Sequence, residues 1–270
     1  MVKCEVEPTE PTSITIPASV SIDGNAYNVT TIGASAFSGC MNLTNIEIPN
    51  TVTSIVEYAF SSCRGLIDFY LPSSVVYIGY LSFNDCSSLT NFTIAENSQL
   101  TSIHNSAFAS CTNLTDFIFA ENSQLTSISN FVFKECTNLT GIDLPNSLTS
   151  IGVGAFQDCD NLTSIVIPSS VTTIKIASGG ECYPIFSSCD KLTNIVVESG
   201  NPVYDSRDNC NAVIETATNK LISGCKNTDI PNTVTTIGKD SFYNCVNLKS
   251  IELPNSVTTI EKNAFRGCNN

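Results

Sequence analysis

The chain has 270 residues, 42% of them apolar and only 14% charged, with a formal charge of −13 and a sequence pI near 4.3. That balance argues against nucleic-acid binding, which needs clustered Lys and Arg to neutralise phosphates, and against adhesion to anionic lipid. No run approaches the roughly 18 consecutive apolar residues of a membrane-spanning helix, so no transmembrane segment is expected.

The first dozen residues are polar, acidic and Pro-rich, unlike a signal peptide, and the last Phe-x-x-Cys unit stops before its strand. Both ends therefore read as cut from a longer protein. Residues 1–32 form an atypical opening rung, in which Ile14-Thr15-Ile16-Pro17 and Val29-Thr30-Thr31-Ile32-Gly33 are joined by a short loop. A Phe-x-x-Cys unit then recurs nine times, at Phe37, Phe60, Phe83, Phe108, Phe133, Phe156, Phe186, Phe242 and Phe265. Most steps are 23 or 25 residues, with one of 30 and one of 56.

Each unit has a physical reading. After every Cys but the last comes Leu-x-x-Ile/Phe-x-apolar, as in Leu43-Thr44-Asn45-Ile46-Glu47-Ile48. Its closing alternation has the period of a strand. Pro49 cannot donate to a sheet ladder and ends that strand. A second short apolar segment, Thr/Ser-x-Ile, follows, with Gly after it at Gly33, Gly79, Gly152 and Gly238. No segment keeps a capped 3.6-residue period, so long helices are not expected. A single unit buries too little to fold alone, and stacking turns each strand into a rung of a parallel sheet.

The pattern breaks in three places. The Phe83 and Phe108 repeats carry Ala95-Glu96-Asn97-Ser98-Gln99 and Ala120-Glu121-Asn122-Ser123-Gln124 in place of the Pro turn, which reads as two wider loops. Residues 175–184 are a surface-loop insert. Residues 198–229 are an irregular repeat holding a β-hairpin, with Val213 expected opposite Ile222 and Cys210 opposite Cys225. The whole of 1–270 is read as one solenoid domain.

This unit resembles the BspA-like, or treponemal-type, leucine-rich repeat, and the segment from Asn201 to Asn211 resembles an insert common in that family. The resemblance covers about Ile32 to the C-terminus. It implies a β-rich solenoid of the α/β class, a right-handed stack of ~23-residue repeats with a parallel sheet and short turns or 3-10/helical segments. It further implies a secreted or cell-surface bacterial protein that binds a host, matrix or neighbouring-cell protein, with no shared catalytic motif. The alternative reading is a structural stalk or spacer segment without a ligand of its own. An enzyme or carbohydrate-active accessory is the third, and the absence of Trp counts against it.

Catalytic constellations are missing from the sequence. The single histidine, His104, sits at a turn position with no nucleophile assigned to it, and no phosphate loop or metal-ligand spacing occurs. Asp205-Ser206-Arg207-Asp208-Asn209 crowds acids but misses the calcium-loop pattern. Nine of the thirteen cysteines hold the repeat position and should pack inward as small apolar groups. No cofactor, metal or catalytic residue is therefore expected. The Asn-Leu-Thr triplets at Asn42, Asn113, Asn138 and Asn161 match a glycosylation pattern but follow from the repeat itself.

A partner would meet the side chains that point off the strand array. These are Glu47, Tyr70, Thr93, Ile118, Asp143, Val166, Val196 and Glu252, with Asn45, Asp68, Asn91, Asp116, Gly141, Ser164, Asn194 and Ser250 in the row before them. Ile118, Val166 and Val196 are apolar where solvent favours polar groups. Tyr58, Tyr77 and Tyr80 join Tyr70 in the second and third repeats, and Tyr is enriched at binding hot spots. Ordinary packing against neighbouring rungs is the competing reading for each of them. The charge steers basic partners or divalent cations, beside the plain reading that it keeps the chain soluble.

Overall fold

The computed structural model describes residues 12–176 and 183–269. The chain winds as a solenoid whose rungs contribute a turn segment and one or two short strands. One sheet is an unbroken parallel ladder of seven two-residue strands, from Thr31–Ile32 to Thr173–Ile174. Its register is carried by the Ile that closes each second segment, Thr/Ser-x-Ile except for Val76-Tyr77-Ile78, with Ile32, Ile55, Ile78, Ile103, Ile128, Ile151 and Ile174 all inward and buried.

The other strand array is discontinuous. Thr12–Thr15 pairs with Leu43–Glu47, then Asp68–Leu71, Asn91–Ile94 and Asp116–Ile118 form a three-stranded block, and Ser164–Ile167 pairs with Asn194–Val197. The alternation in the sequence leads one to expect a strand in the Phe133 repeat as well. None forms over residues 141–144, and no backbone hydrogen bond among the described residues joins that stretch to either neighbouring rung. Gly141 is a weak strand former at this position, and Pro145 follows closely.

The turn segment meets its backbone hydrogen-bond demand without a helix. N–H groups alternate between a local turn and the next rung: Phe37 N donates to Ala59 O at 2.8 Å, Ser38 N to Ser35 O at 3.2 Å, and Gly39 N to Ser61 O at 2.8 Å. This needs two left-handed residues per turn. The position two before each Phe has positive φ at Ser35, Tyr58, Leu81, Ser106, Phe131, Gly154, Asp240 and Asn263. The position two after it has positive φ at Ser62, Asp85, Ser110, Glu135, Asp158, Ser188 and Asn244. Left-handed backbone is unfavourable for residues with a Cβ, so the stack imposes this geometry on the sequence.

The core is built from columns. The repeat phenylalanines stack nearly parallel, with centroids 5.2 Å apart for Phe37–Phe60, 5.1 Å for Phe60–Phe83 and 5.2 Å for Phe83–Phe108. A second column of Phe69, Phe92 and Phe117 meets the first edge-on, as at 4.6 Å between Phe92 and Phe108. Seven of the nine repeat cysteines, Cys63, Cys86, Cys111, Cys136, Cys159, Cys189 and Cys268, donate the Sγ hydrogen to the Phe carbonyl one rung back. Cys86 reaches Phe60 O at 3.2 Å, Cys111 reaches Phe83 O at 3.1 Å and Cys159 reaches Phe133 O at 3.1 Å.

Two hairpins depart from the sequence reading. The loop expected in the opening rung is an antiparallel hairpin, Ser19–Ile22 with Asn25–Asn28. Its turn is Asp23-Gly24, and both residues are left-handed, as a two-residue hairpin turn requires. In the irregular repeat, Ala212–Glu215 pairs with Lys220–Gly224 in the expected register only next to the turn, Ile214 opposite Leu221. A bulge then sets Val213 opposite Ser223 instead of Ile222. Cys210 and Cys225 therefore do not face one another; they join different apolar clusters and are free thiols.

That hairpin is a partition. Val213 and Ile222 pack into the long cluster running from Ile32, whereas Ala212, Ile214 and Leu221 pack into a second cluster with Val234, Ile237 and Phe242. Its Lys220–Gly224 strand continues the stack by pairing in parallel with Thr236–Ile237. On the near side, Ile174 N at the end of the seven-stranded ladder donates to Tyr204 Oη at 3.1 Å. The 175–184 insert lies mostly outside the described residues.

Replacing Phe108 with Ala removes two stacked and two edge-on ring partners and is expected to cost about 3–5 kcal/mol; an unfolding midpoint unchanged in urea would contradict the column. Tyr204→Phe leaves the Ile174 N–H buried without an acceptor, and a loss of about 1–3 kcal/mol is expected in the same measurement.

Candidate functional site

The outward row expected from alternation lies on strands at Glu47, Tyr70, Thr93, Ile118, Val166 and Val196. Residues 141–144 and 249–253 form no strand, so Asp143 and Glu252 fall outside it, and Leu253 is exposed where alternation puts it inward. Tyr70 lies opposite Thr93, Thr93 opposite Ile118, and Val166 opposite Val196. Neighbouring strands stand about 4.8 Å apart, so these side chains form a stripe along the solenoid. Tyr70 is 62% exposed, Ile118 52%, Val166 45% and Val196 36%, while Thr93 is half-buried. The parallel row holds Asp68, Asn91, Asp116 and Ser164 at the same rungs. No Lys or Arg occurs in either row, so the stripe is apolar on an acidic ground.

The break in the array makes relief on this face. A depression of about 390 Å³ opens over residues 140–143, bounded by Ile118 and Asp116 on one side and Val166 on the other. A Cβ on Gly141 would meet nothing within 4 Å, so the absent side chain leaves the space open. A second depression of about 520 Å³ is lined by Tyr70, Thr93 and Glu121 and shares Ile118 with the first. Asp143 is exposed beside the first depression. The part Gly141 plays was readable as the one glycine in its row; the missing ladder around it was not.

The remaining candidates lie elsewhere. Glu47 accepts a hydrogen bond from Thr15 Oγ1 at 3.0 Å and belongs to the opening two-stranded block. Tyr58 and Tyr80 pack edge-to-face at 5.5 Å on the turn segments. Tyr77 is in the seven-stranded sheet, its ring 4.7 Å from that of the exposed His104. The four tyrosines grouped by sequence are thus divided among three segments of the rung.

The chemistry of the buried groups is inert. None of the eleven cysteines among the described residues forms a disulfide. Burial pushes the thiols of Cys86, Cys136 and Cys159 well up, with neighbouring ladder thiols adding to it, and it pushes Cys111 up to about 12. Burial also pushes the Asp205 carboxyl up, but the hydrogen bonds from Arg207 and Thr216 outweigh it and hold the group below its ordinary value. Asp205 is thereby engaged by protein partners. Among the described residues no group of three His, Cys, Asp or Glu side chains is placed to hold a metal ion, and no helix is long and apolar enough to cross a membrane.

The fold and this surface define a leucine-rich-repeat solenoid with an exposed strand face. Six copies of the model of the BspA type leucine rich repeat region match residues 12–124, 101–218 and 218–270, and the chain belongs to that family. It is similar to a leucine rich cell surface protein from Faecalibacterium prausnitzii at 29% identity and a TM-score of 0.65, covering 93% of this chain and 65% of that one. It is also similar to a leucine-rich repeat protein from Eubacterium ventriosum at 29% identity and a TM-score of 0.63, covering 78% of this chain and 53% of that one. The chain thus spans less than two thirds of either structure. A comparison with curated proteins finds no match.

The raised thiols give the solenoid an alkaline limit. Unfolded cysteines ionise near pH 8.5–9 while the buried ones stay protonated, so this stabilisation is complete below about pH 9 and falls above it by about 1.4 kcal/mol per pH unit for each thiol. Denaturant midpoints measured at pH 8 and pH 10 should differ accordingly. Iodoacetamide at pH 8 is expected to leave Cys86, Cys111, Cys136 and Cys159 unlabelled unless the protein is unfolded first.

Proposed function

We propose that the strand face is a docking surface for another protein, and that the chain serves as the binding array of a secreted or cell-surface bacterial protein. The observation that carries this reading is the exposure of Tyr70 and Ile118 in one paired block and of Val166 and Val196 in the next, all on the strand face. Exposed apolar side chains gathered on one face mark an interaction site, and stacked-repeat proteins use such extended surfaces for recognition. The cell-surface description of the Faecalibacterium structure supports the location. Asp68, Asp116 and Asp143 beside the stripe favour a partner with basic groups around apolar anchors, because opposite charges speed encounter and fix register.

The test is binding of the purified chain to a panel of serum and matrix proteins, with two variants alongside. Tyr70→Ala/Ile118→Ser removes the anchors; Gly141→Arg fills the depression and places a cation between Asp116 and Asp143. Saturable binding that weakens at least tenfold in both, with each variant's melting temperature unchanged, is the expected result. Binding that both variants retain overturns the assignment to this face, and no binding across the panel favours a stalk.

A further inference from the structure

Two consecutive repeats carry the same nine residues, 95–103 and 120–128, both reading Ala-Glu-Asn-Ser-Gln-Leu-Thr-Ser-Ile. Ile103 and Ile128 are paired in the parallel ladder, so the two copies are stacked in register. Ala95, Leu100 and Ile103 are buried, as are Ala120, Leu125 and Ile128. Each loop is fixed by its serine: Ser98 Oγ accepts from Leu100 N at 3.2 Å, and Ser123 Oγ from Leu125 N at 3.2 Å. Asn97, Gln99, Asn122 and Gln124 point to solvent, and none of these four side-chain amides hydrogen-bonds another described residue. Together with Thr101 and Val76 they line a depression of about 470 Å³. That size falls within the range of small-ligand sites.

The geometry points to a second binding site here, on the far side of two loops whose Glu96 and Glu121 border the strand-face depression, for a neutral oligosaccharide lying across the two loops. A side-chain amide offers donors and an acceptor at once, which matches hydroxyl groups that do the same. Thr101 Oγ1 already donates to Val76 O at 3.3 Å, which leaves its lone pairs for a ligand hydroxyl. The lining contains no Lys or Arg to attract phosphate, sulfate or carboxylate. The exposed carboxylates of Glu96 and Glu121 in the same loops, within a chain of charge −13, repel anionic sugars. Stacking two identical loops about 4.8 Å apart presents the same amides twice, which suits a ligand built of repeating units. Along the rung, Tyr77 follows Val76 and pairs with Ser102, so a sugar passing Thr101 comes to an aromatic ring.

The experiment is a titration of the ¹⁵N-labelled chain with cellotetraose, chitotetraose and lacto-N-neotetraose, and separately with lactose and 3′-sialyllactose. At least one neutral tetrasaccharide is expected to shift the side-chain amide signals of residues 97, 99, 122 and 124 with a Kd of about 0.1–1 mM. The triple variant Gln99→Ala/Asn122→Ala/Gln124→Ala, which spares the left-handed Asn97, should weaken that binding tenfold or more. Tyr70→Ala/Ile118→Ser should leave it unchanged, which separates this site from the strand face. Should the triple variant melt early, Gln99→Glu/Gln124→Glu keeps the volume, removes the donors and should show the same loss. The proposal is overturned by any of four results: no shift with any neutral tetrasaccharide at about 10 mM, shifts unaffected by the folded variants, tighter binding of 3′-sialyllactose than of lactose, or an equal response to a sugar-free Ser/Thr-rich peptide.

Discussion

Every repeat in this chain depends on its neighbours to cover its phenylalanine. Phe60 alone touches Phe37, Phe83 and Phe69, which come from three different rungs. One repeat by itself exposes both faces of its ring, so the apolar layer exists only as a continuous column. The thiol-to-carbonyl ladder and the left-handed turn residues follow from that demand. Both arise because the chain must return to the same depth once per repeat and bring its Phe back over the last one.

The column also accounts for the contrast between the two strand arrays. The Thr/Ser-x-Ile strands are only two residues long, and one inward Ile each is enough to hold an unbroken ladder over seven rungs. On the opposite array the strands are longer and their outward residues vary, so local chemistry decides whether a rung pairs. Where Gly141 stands, pairing is lost and relief appears; where Tyr70, Thr93 and Ile118 stand, pairing holds and the stripe is flat. Surface features here are variations that the core tolerates because none of them disturbs the column.

What the sequence disclosed follows the same division. Inward positions were legible because the core permits few residue types there, so Phe, Cys, Leu and Ile recur at fixed spacing. The outward row was legible by alternation alone. The opening hairpin was readable in principle from Asp23-Gly24, since a two-residue turn with both φ positive selects those residues. The bulge at Ile222 was not readable, because it answers to two cores at once. Nor was the depression at Gly141, which is defined by what adjacent rungs fail to fill. The paired Ala-Glu-Asn-Ser-Gln loops were visible as wider turns, but their meaning depended on lying side by side.

The hairpin at Ala212–Gly224 divides a structure otherwise uniform along its axis. In a stacked array, loosening at one end travels inward rung by rung, since each repeat's stability is partly its neighbour's. A wall buried on both faces interrupts that passage, because Val213 and Ile222 serve one core while Ile214 and Leu221 serve the other. The wall acts as a firebreak. Loosening among the repeats at Phe242 and Phe265 meets a strand pair held by its own antiparallel ladder before it reaches the repeats that carry the exposed stripe. Unfolding of the repeats beyond the wall can therefore leave standing those that carry Tyr70, Ile118, Val166 and Val196.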